Sequence, residues 1–509
     1  MTPSATGLDL RLVPAAVTAW VVTAAGLTWG LGLWLAALSA GIGAGWWTVA
    51  HTQRRPQRRP LMRAAAAGVL GTAIVGAGFG ISVALRSDAV HSHALSGRFG
   101  TADWVTVTPS ETPRRAGPAR IMFRADMIRL GDSESDGTVT VFAPAVDFGQ
   151  LGAGQPARFR ARIARPARRD LTAAVLTAIG RPVLGRPTAL QRAARAVRDR
   201  FAAAAREVLP ADQAALLPGL VLGDTAGIPA ATTTEFRTAG LTHLTAVSGA
   251  NVTIVCAVVL LSAHLVGPRA AVALAALALV VFVVVVEPTA SVLRAAIMAA
   301  IGLMAVLSGR RRQAVPVLAA TVIALMVIAP QLAVDLGFAL SVSATAALVV
   351  LAPVWSARLV GRGWPKALAD ALCVALAAHL VTAPLIAAIS GQFSLVSVLA
   401  NLSVAVVIPP ITVLGTAAAA LVCLWPTMAG LLIRFTGPEV WWLSHVARAA
   451  GRLPGAAVAV PSGWAGFATV GALTVAAVVL WRRRWFRLVA GAAALCLIAW
   501  SVSGLVSPA

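Results

Sequence analysis

The stretch AGLTHLTAVSGANVTI, residues 239–254, holds His243, Ser248, Gly249 and Asn251 where a long polar region gives way to apolar sequence. An imidazole, a hydroxyl and an amide beside a helix-loosening glycine can line a water-filled cavity, or can knot two helices together. Three further polar sets stand in apolar surroundings. In VEPTASVLRAAIMAAIG, 286–302, Glu287 and Arg294 are seven residues apart, two helical turns on roughly the same face. Arg294 lies inside a span, where it either faces an aqueous path used by an anion or pairs with a carboxylate such as Glu287 or Asp335. DLGFALSVSATAALVV, 335–350, opens on Asp335. HLVTAPLIAAISGQFSLVSVLANLSVAVVIPP, 379–410, carries Gln392 and Asn401 around a break bounded by Gly391 and Pro409. Such an interruption marks either a transport site or an ordinary loop.

The elements that must hold these groups are membrane helices. The chain is 58% hydrophobic and only 12% charged over 509 residues, against about 25% charge for a soluble domain. Spans are expected near 12–31, 33–50 and 62–85, each close to the ~20 residues that cross a bilayer. A second helical region is expected from 239 to 480, and a last span beyond WRRRWFR (481–487). With HTQRRPQRRP and the basic loops at 309–313, 356–366 and 481–487 on the cytoplasmic side, about 11 to 13 spans alternate consistently. Residues 86–186 differ. GTADWVTVTP, ARIMFRADMIRL, GTVTVFAP and QPARFRARIA are short, alternating and β-prone, and predict a small extracytoplasmic β-barrel or sandwich inserted after the N-terminal helices. Residues 187–238 form a connector that starts with an amphipathic helix at 187–209, able to lie on the membrane or to cover the barrel.

Charge points outward to an anionic partner, nucleic acid or lipid headgroups, because 42 basic residues face 19 acidic ones for a net +23. Residues 94–210 alone hold 19 Arg against 10 Asp plus Glu, a net of +9. Arg158, Arg160 and Arg162 alternate onto one strand face there, while Trp104, Phe123 and Phe159 either stack on a ligand or fill the barrel. Several chemistries are excluded. Lys366, the only lysine, sits in a Trp-Pro-Lys-Ala context, so no phosphate-binding G-K-[ST] loop exists. Cys256, Cys373, Cys423 and Cys496 are isolated and read as buried apolar groups. The HSH at 91–93 lacks a third ligand and reads as linker, and GDSESDG at 131–137 lacks a calcium loop's closing Glu and reads as a hairpin turn. No catalytic residue, metal site or cofactor is expected.

The four polar stretches resemble, in order and spacing, the membrane core of the ComEC competence family of DNA uptake channels. Gly240 to Val252 matches its GLxHLLAxSGxHV core, and Pro288 to Met298 its PSxxRAxxM signature with a displaced serine. Gly337 to Thr345 matches GFxLSxxAT, and Gly391 to Asn401 matches GQxSxxSxxAN. Asn251 stands where the family usually has His, which takes away a group that titrates near neutral pH. The resemblance covers about 210–480. It implies an inner-membrane channel for single-stranded DNA, with His243, Ser248, Gly249, Asn251, Arg294, Asp335, Gln392 and Asn401 along the path. It also implies an oligonucleotide-binding (OB-like) barrel capturing DNA through Arg158, Arg160, Arg162 and Trp104. Implied partners are membrane lipids, a DNA receptor, a cytoplasmic DNA motor, a separate nuclease and further copies of the chain. The last His is His445 and the last acid Glu439, so the form expected is the one without the family's C-terminal metallo-β-lactamase-like nuclease. The competing readings are a transporter of another anionic polymer or solute, and a non-conducting membrane scaffold.

Overall fold

The computed structural model describes residues 9–52, 59–117, 119–245, 247, 249–263, 266–287, 289–307, 313–453, 455–481 and 483. The chain divides into two compact units, Met1–Ala196 with Ala276–Ala339 and Val197–Ala275 with Leu340–Ala509. The first unit opens with helices α1 (Val13–Trp29), α2 (Gly32–Thr52) and α3 (Arg59–His91). Small residues let these pack closely. A methyl group placed on Gly80 would stand 2.5 Å from the Gly32 carbonyl oxygen and 3.0 Å from the Ala36 nitrogen, and one on Gly32 would stand 2.7 Å from the Gly80 oxygen. Backbone-to-backbone contact of this kind is what holds helices together where lipid removes the hydrophobic drive.

Helix α3 feeds a closed five-stranded barrel made of β1 (Ala102–Pro109), β3 (Arg120–Leu130), β4 (Ser133–Pro144), β5 (Ala157–Ala164) and β6 (Ala174–Leu184), with β2 (Arg114–Arg115) appended to β3. Around the barrel β1 pairs with β3, β3 with β4, β4 with β6 in parallel, β6 with β5, and β5 returns to β1. One parallel contact among antiparallel ones, with a four-residue helix α4 (Ala145–Phe148) between β4 and β5, is the Greek-key arrangement of the oligonucleotide-binding barrel. Strict alternation builds it: along β5, Ala157, Phe159, Ala161 and Ile163 are buried while Arg158, Arg160 and Arg162 are exposed. Phe123 and Phe159 are core residues, and Phe159 meets Phe148 edge to face at 5.1 Å. Trp104 is 46% exposed.

Four strands fall where alternation predicts them; β6 is an addition. The HSH segment proves structural. The His91 ring bonds the Ser87 oxygen at 2.6 Å, and His93 Nδ1 accepts the Leu95 N–H at 3.1 Å while Nε2 donates to the Asp136 oxygen at 2.6 Å. Those two bonds require the neutral ring protonated at Nε2, and they clip the end of α3 to the β3–β4 hairpin. GDSESDG is that hairpin, turning at Gly131 with φ +60°. Helix α5 (Ala189–Val208) is the predicted amphipathic helix; its Ala194, Phe201 and Ala205 are buried, and Gln191 and Arg195 lie over Gly154 and Gly152 of the barrel.

The first unit continues through the end of α9 (Pro268–Val286), then α10 (Ala290–Leu307), α11 (Ala314–Ile328) and the opening of α12 (Leu336–Val360). The second holds α6 (Ala211–Leu222), α7 (Ala230–Thr238), α8 (Gly249–Ser262), α13 (Lys366–Ser390), α14 (Ser397–Val404), α15 (Ile408–Leu421), α16 (Pro426–Phe435), α17 (Gly437–Arg452) and α18 (Gly463–Leu480). A short ribbon of β7 (Gln392–Ser394) and β8 (Ala457–Ala459) ties two of its loops. Among the described residues, six helical runs are long and apolar enough to cross a membrane, namely α2, the run Ala65–Arg98, α9, α12, α13 and α18. The pair α14–α15, bent by 54°, makes a seventh if it is one span. The count of 11 to 13 drawn from sequence also includes shorter apolar helices such as α1, α8 and α11 and segments outside the described residues. Cys256 and Cys373 are buried and Cys423 half-buried, while Cys496 lies outside the described residues.

Replacing Gly80 by Ala should lower the stability of the detergent-solubilised protein by about 1–3 kcal/mol, the usual penalty of overpacking against rigid backbone. Gly78→Ala, where a new Cβ meets nothing within 4 Å, should leave thermal unfolding unchanged, and equal melting of the two variants would refute the Gly32–Gly80 contact.

Candidate functional site

The second unit contains a built interruption. Helix α7 ends and the chain turns through Gly240 at φ +72°, passes a single 3-10 turn at Thr242–Leu244, and restarts as α8 at Gly249. Glycine is required twice over at 240, because φ is left-handed and because a side chain there would run into Ser397, whose Cβ would stand 2.6 Å away. The carbonyls released by this turn are taken by α14 and the β7 loop. Ser394 Oγ donates to the Thr238 oxygen at 2.8 Å. Asn401 Nδ2 donates to the Ser397 oxygen at 2.8 Å and reaches the Gly240 oxygen at 3.4 Å. A second clamp lies near by. Asn251, 5% exposed at the start of α8, donates from Nδ2 to the Leu220 oxygen of α6 at 3.0 Å, and Thr412 of α15 donates to its Oδ1 at 3.4 Å. Leu220, Leu244, Asn251, Ile408, Ile411 and Thr412 enclose a cavity of about 10 Å³, about the space of one water molecule.

Of the residues singled out from sequence, His243 and Gln392 are exposed. Asn251 is buried, Asn401 half-buried, Gly249 begins α8, and Ser248 lies outside the described residues. Gly240 and Asn401, 161 positions apart, are thereby brought together. Glu287, Arg294 and Asp335 belong to the first unit. Glu287 follows α9 at φ +71°, an unusual backbone for a side-chain-bearing residue, and is 9% exposed. Thr289 then starts α10 by accepting the Val292 N–H at 3.3 Å. Arg294, one full turn further on, is 6% exposed, with Nη1 3.3 Å from the Met298 sulfur. Asp335 caps α12 by accepting the Phe338 N–H at 2.7 Å, and the turn before it is held by Trp20, which donates to the Ala333 oxygen at 2.9 Å and stacks edge-on against Phe338.

On the barrel, the Arg158 guanidinium carbon lies 5.5 Å from the centre of the Trp104 ring, with Arg160 directly across from Trp104 in the β1–β5 register. Sequence reasoning passed over Ser394, Ser397, Thr412 and the Leu220 carbonyl. The two serines stand inside the GQFSLVSVLAN motif and carried a signal; a backbone carbonyl carries none.

The profile of the Competence protein family matches residues 220–485, a little over half of the chain. The chain belongs to that family. No curated protein and no solved structure matches it. Membership assigns the protein to DNA uptake for transformation, as a multi-pass membrane protein. The matched region of this Competence protein begins at Leu220, whose carbonyl holds Asn251, and it includes every partner in both clamps of the second unit.

Gly240→Ala should destabilise the protein by about 1–3 kcal/mol, from a left-handed φ and the Ser397 collision together. In a Ser397→Gly background the collision disappears and the cost should shrink, so identical costs in the two backgrounds, measured by thermal unfolding in detergent, would dissolve the proposed coupling. Asn401→Ala, which leaves the Gly240 and Ser397 carbonyls without this donor, should cost about 1–3 kcal/mol in the same assay.

Proposed function

We propose that this chain is the inner-membrane channel through which single-stranded DNA enters the cell during transformation, with the barrel on the outer side. The observation that carries the reading is the clamped interruption at Gly240. A helix break inside a membrane domain is tolerated only where protein or water satisfies its backbone, and proteins use such breaks to expose polar groups at a transport site. Here the interruption is stabilised from α14 by Asn401, itself part of a second broken element bent by 54°.

The path residues then divide by task. Asn251 and Asn401 spend their amides on backbone carbonyls and shape the path. His243 and Gln392 are exposed and contact the strand, together with Ser248. Gly249 gives the start of α8 its freedom, Asp335 fixes the start of α12, and Arg294 supplies positive charge to phosphates in surroundings of low dielectric, where such a charge acts strongly. The barrel captures the strand through Arg158, Arg160, Arg162 and Trp104. This chain breaks no bond: a separate nuclease removes the second strand, a DNA receptor delivers the substrate, and a cytoplasmic motor supplies the pull, since the sequence has no phosphate-binding loop.

In a transformable host carrying this protein, Arg294→Ala should abolish entry of labelled DNA into a nuclease-protected state while DNA binding at the cell surface persists. Uptake at the parental level, with the variant present in the membrane in normal amount, would overturn the role of Arg294 in the path.

A further inference from the structure

Oligonucleotide-binding barrels usually engage their ligand on the face of the second and third barrel strands, between the loops that join strands one to two and four to five. In this barrel those are β3, β4 and the loops 110–119 and 165–173. Acids offset part of the positive charge there, although Arg115, Arg120, Arg165, Arg168 and Arg169 are exposed as well. Arg124 on β3 pairs with Asp170 at 3.3 Å, Arg114 pairs with Glu111 at 3.4 Å, and Asp126 projects outward from β3.

The face formed by β1, β5 and β6 is built differently. Register places Trp104, Arg160 and Ile179 in one row, Thr106, Arg158 and Val183 in the next, and Ala102, Arg162 and Thr177 in a third. The three arginines are exposed and make no ion pair among the described residues. Around them Trp104 is 46%, Ile179 44% and Val183 65% exposed, so apolar and aromatic surface alternates with positive charge across three strands. Beside the Arg158 row lies a cleft of about 290 Å³ lined by Arg129, Asp132, Arg158, Val183 and Leu184, its floor closed where Gly185 N–H donates to the Pro156 oxygen at 2.7 Å.

We infer that single-stranded DNA binds this barrel across β1, β5 and β6, and not across the customary β3–β4 face. One base stacks on Trp104, its neighbour enters the cleft, and successive phosphates of the strand lie along Arg158, Arg160 and Arg162. The chemistry fits a single strand in three respects. Alternate residues of a strand stand ~6.6–6.8 Å apart, near the stride of one nucleotide in an extended chain. An exposed indole beside guanidinium groups offers stacking that tolerates any base. The cleft offers Arg129 and Arg158 as donors and Asp132 as an acceptor to a base edge, groups that duplex DNA keeps turned inward or within its grooves.

The inference rests on the DNA-uptake reading above, and one experiment separates the two. Binding of a fluorescent oligonucleotide to the full chain in neutral-lipid nanodiscs is measured over a salt series for three proteins: the parent, Arg158→Gln/Arg160→Gln/Arg162→Gln, and the control Arg115→Gln/Arg120→Gln on the opposite side. Loss of three phosphate contacts should flatten the slope of log affinity against log salt by about 2, at ~0.7 per phosphate for single strands, and the control should keep the parental slope. Trp104→Ala should weaken binding by about 5- to 100-fold and Trp104→Phe should restore most of it, as expected of a stacking platform. A flattened slope in the control with the triple variant unchanged would move the strand to the β3–β4 face and overturn this inference while leaving DNA capture intact. A parent that binds no oligonucleotide at low salt would overturn both.

Discussion

A polypeptide inside a bilayer has no water to which a freed carbonyl or amide can turn, so each interruption of a helix must be satisfied by the protein itself. The helix breaks of this molecule, in its apolar and its polar segments alike, have their freed backbone oxygens or amides taken by protein groups. Thr238 and Gly240 lose their helical partners at the end of α7, and Ser394 and Asn401 take their oxygens. The break after α9 is followed by Thr289 capping α10, and the turn before α12 is bracketed by Asp335 and by the indole of Trp20. Leu220 precedes the close of α6 at Leu222, and Asn251 binds its carbonyl. Several of the polar residues in apolar segments therefore stand at helix breaks, while Arg294 lies one turn inside α10.

That arrangement explains a division among groups that look alike in sequence. Asn251 and Asn401 are both amides in apolar runs, yet each is held by backbone partners and cannot turn toward a passing ligand without leaving a carbonyl unpaired, at a cost of about 1–3 kcal/mol. His243 and Gln392, adjacent to the same breaks, are exposed. The amides are thus fixed by the backbone around the breaks, while the His243 and Gln392 side chains beside them remain exposed. Asparagine in place of histidine at 251 suits the first task, since an amide binds the Leu220 oxygen at any pH and an imidazole does so only with a proton on the facing nitrogen.

Much of this could be read from the sequence, and what could not has a physical cause. Alternation placed β1, β3, β4 and β5, because the residues facing a barrel interior must be apolar at every second position. It did not place β6, whose Gly180 and Pro182 interrupt the pattern at the bulge between its pairings with Arg160 and Arg158, although that strand closes the barrel. Pro409 and Pro410 announced a break, but they sit in the first turn of α15, where proline is welcome, and the bend lies just before them at 405–407. Polar residues announced the site, while their partners stayed hidden. A carbonyl such as that of Leu220 or Gly240 belongs to every residue type, so only the fold reveals which one an asparagine meets.

The junction between α3 and the barrel ties the barrel to the N-terminal helices. Helix α3 has 33 residues, about 50 Å at ~1.5 Å each, whereas the hydrocarbon of a bilayer is about 30 Å thick. Roughly four turns must then stand clear of the lipid core, and the helix passes without a flexible linker into the turn capped by His93. Leu95 of that turn is buried in the barrel core with Val90 of α3 packed against it, and the His93 ring is bonded on both sides, to Leu95 and to Asp136 of the β3–β4 hairpin. A glycine follows at 137, where a side chain would stand 2.8 Å from the same ring. A barrel so fixed cannot swing freely about the end of α3. Its Arg158 face therefore keeps one orientation relative to the end of α3.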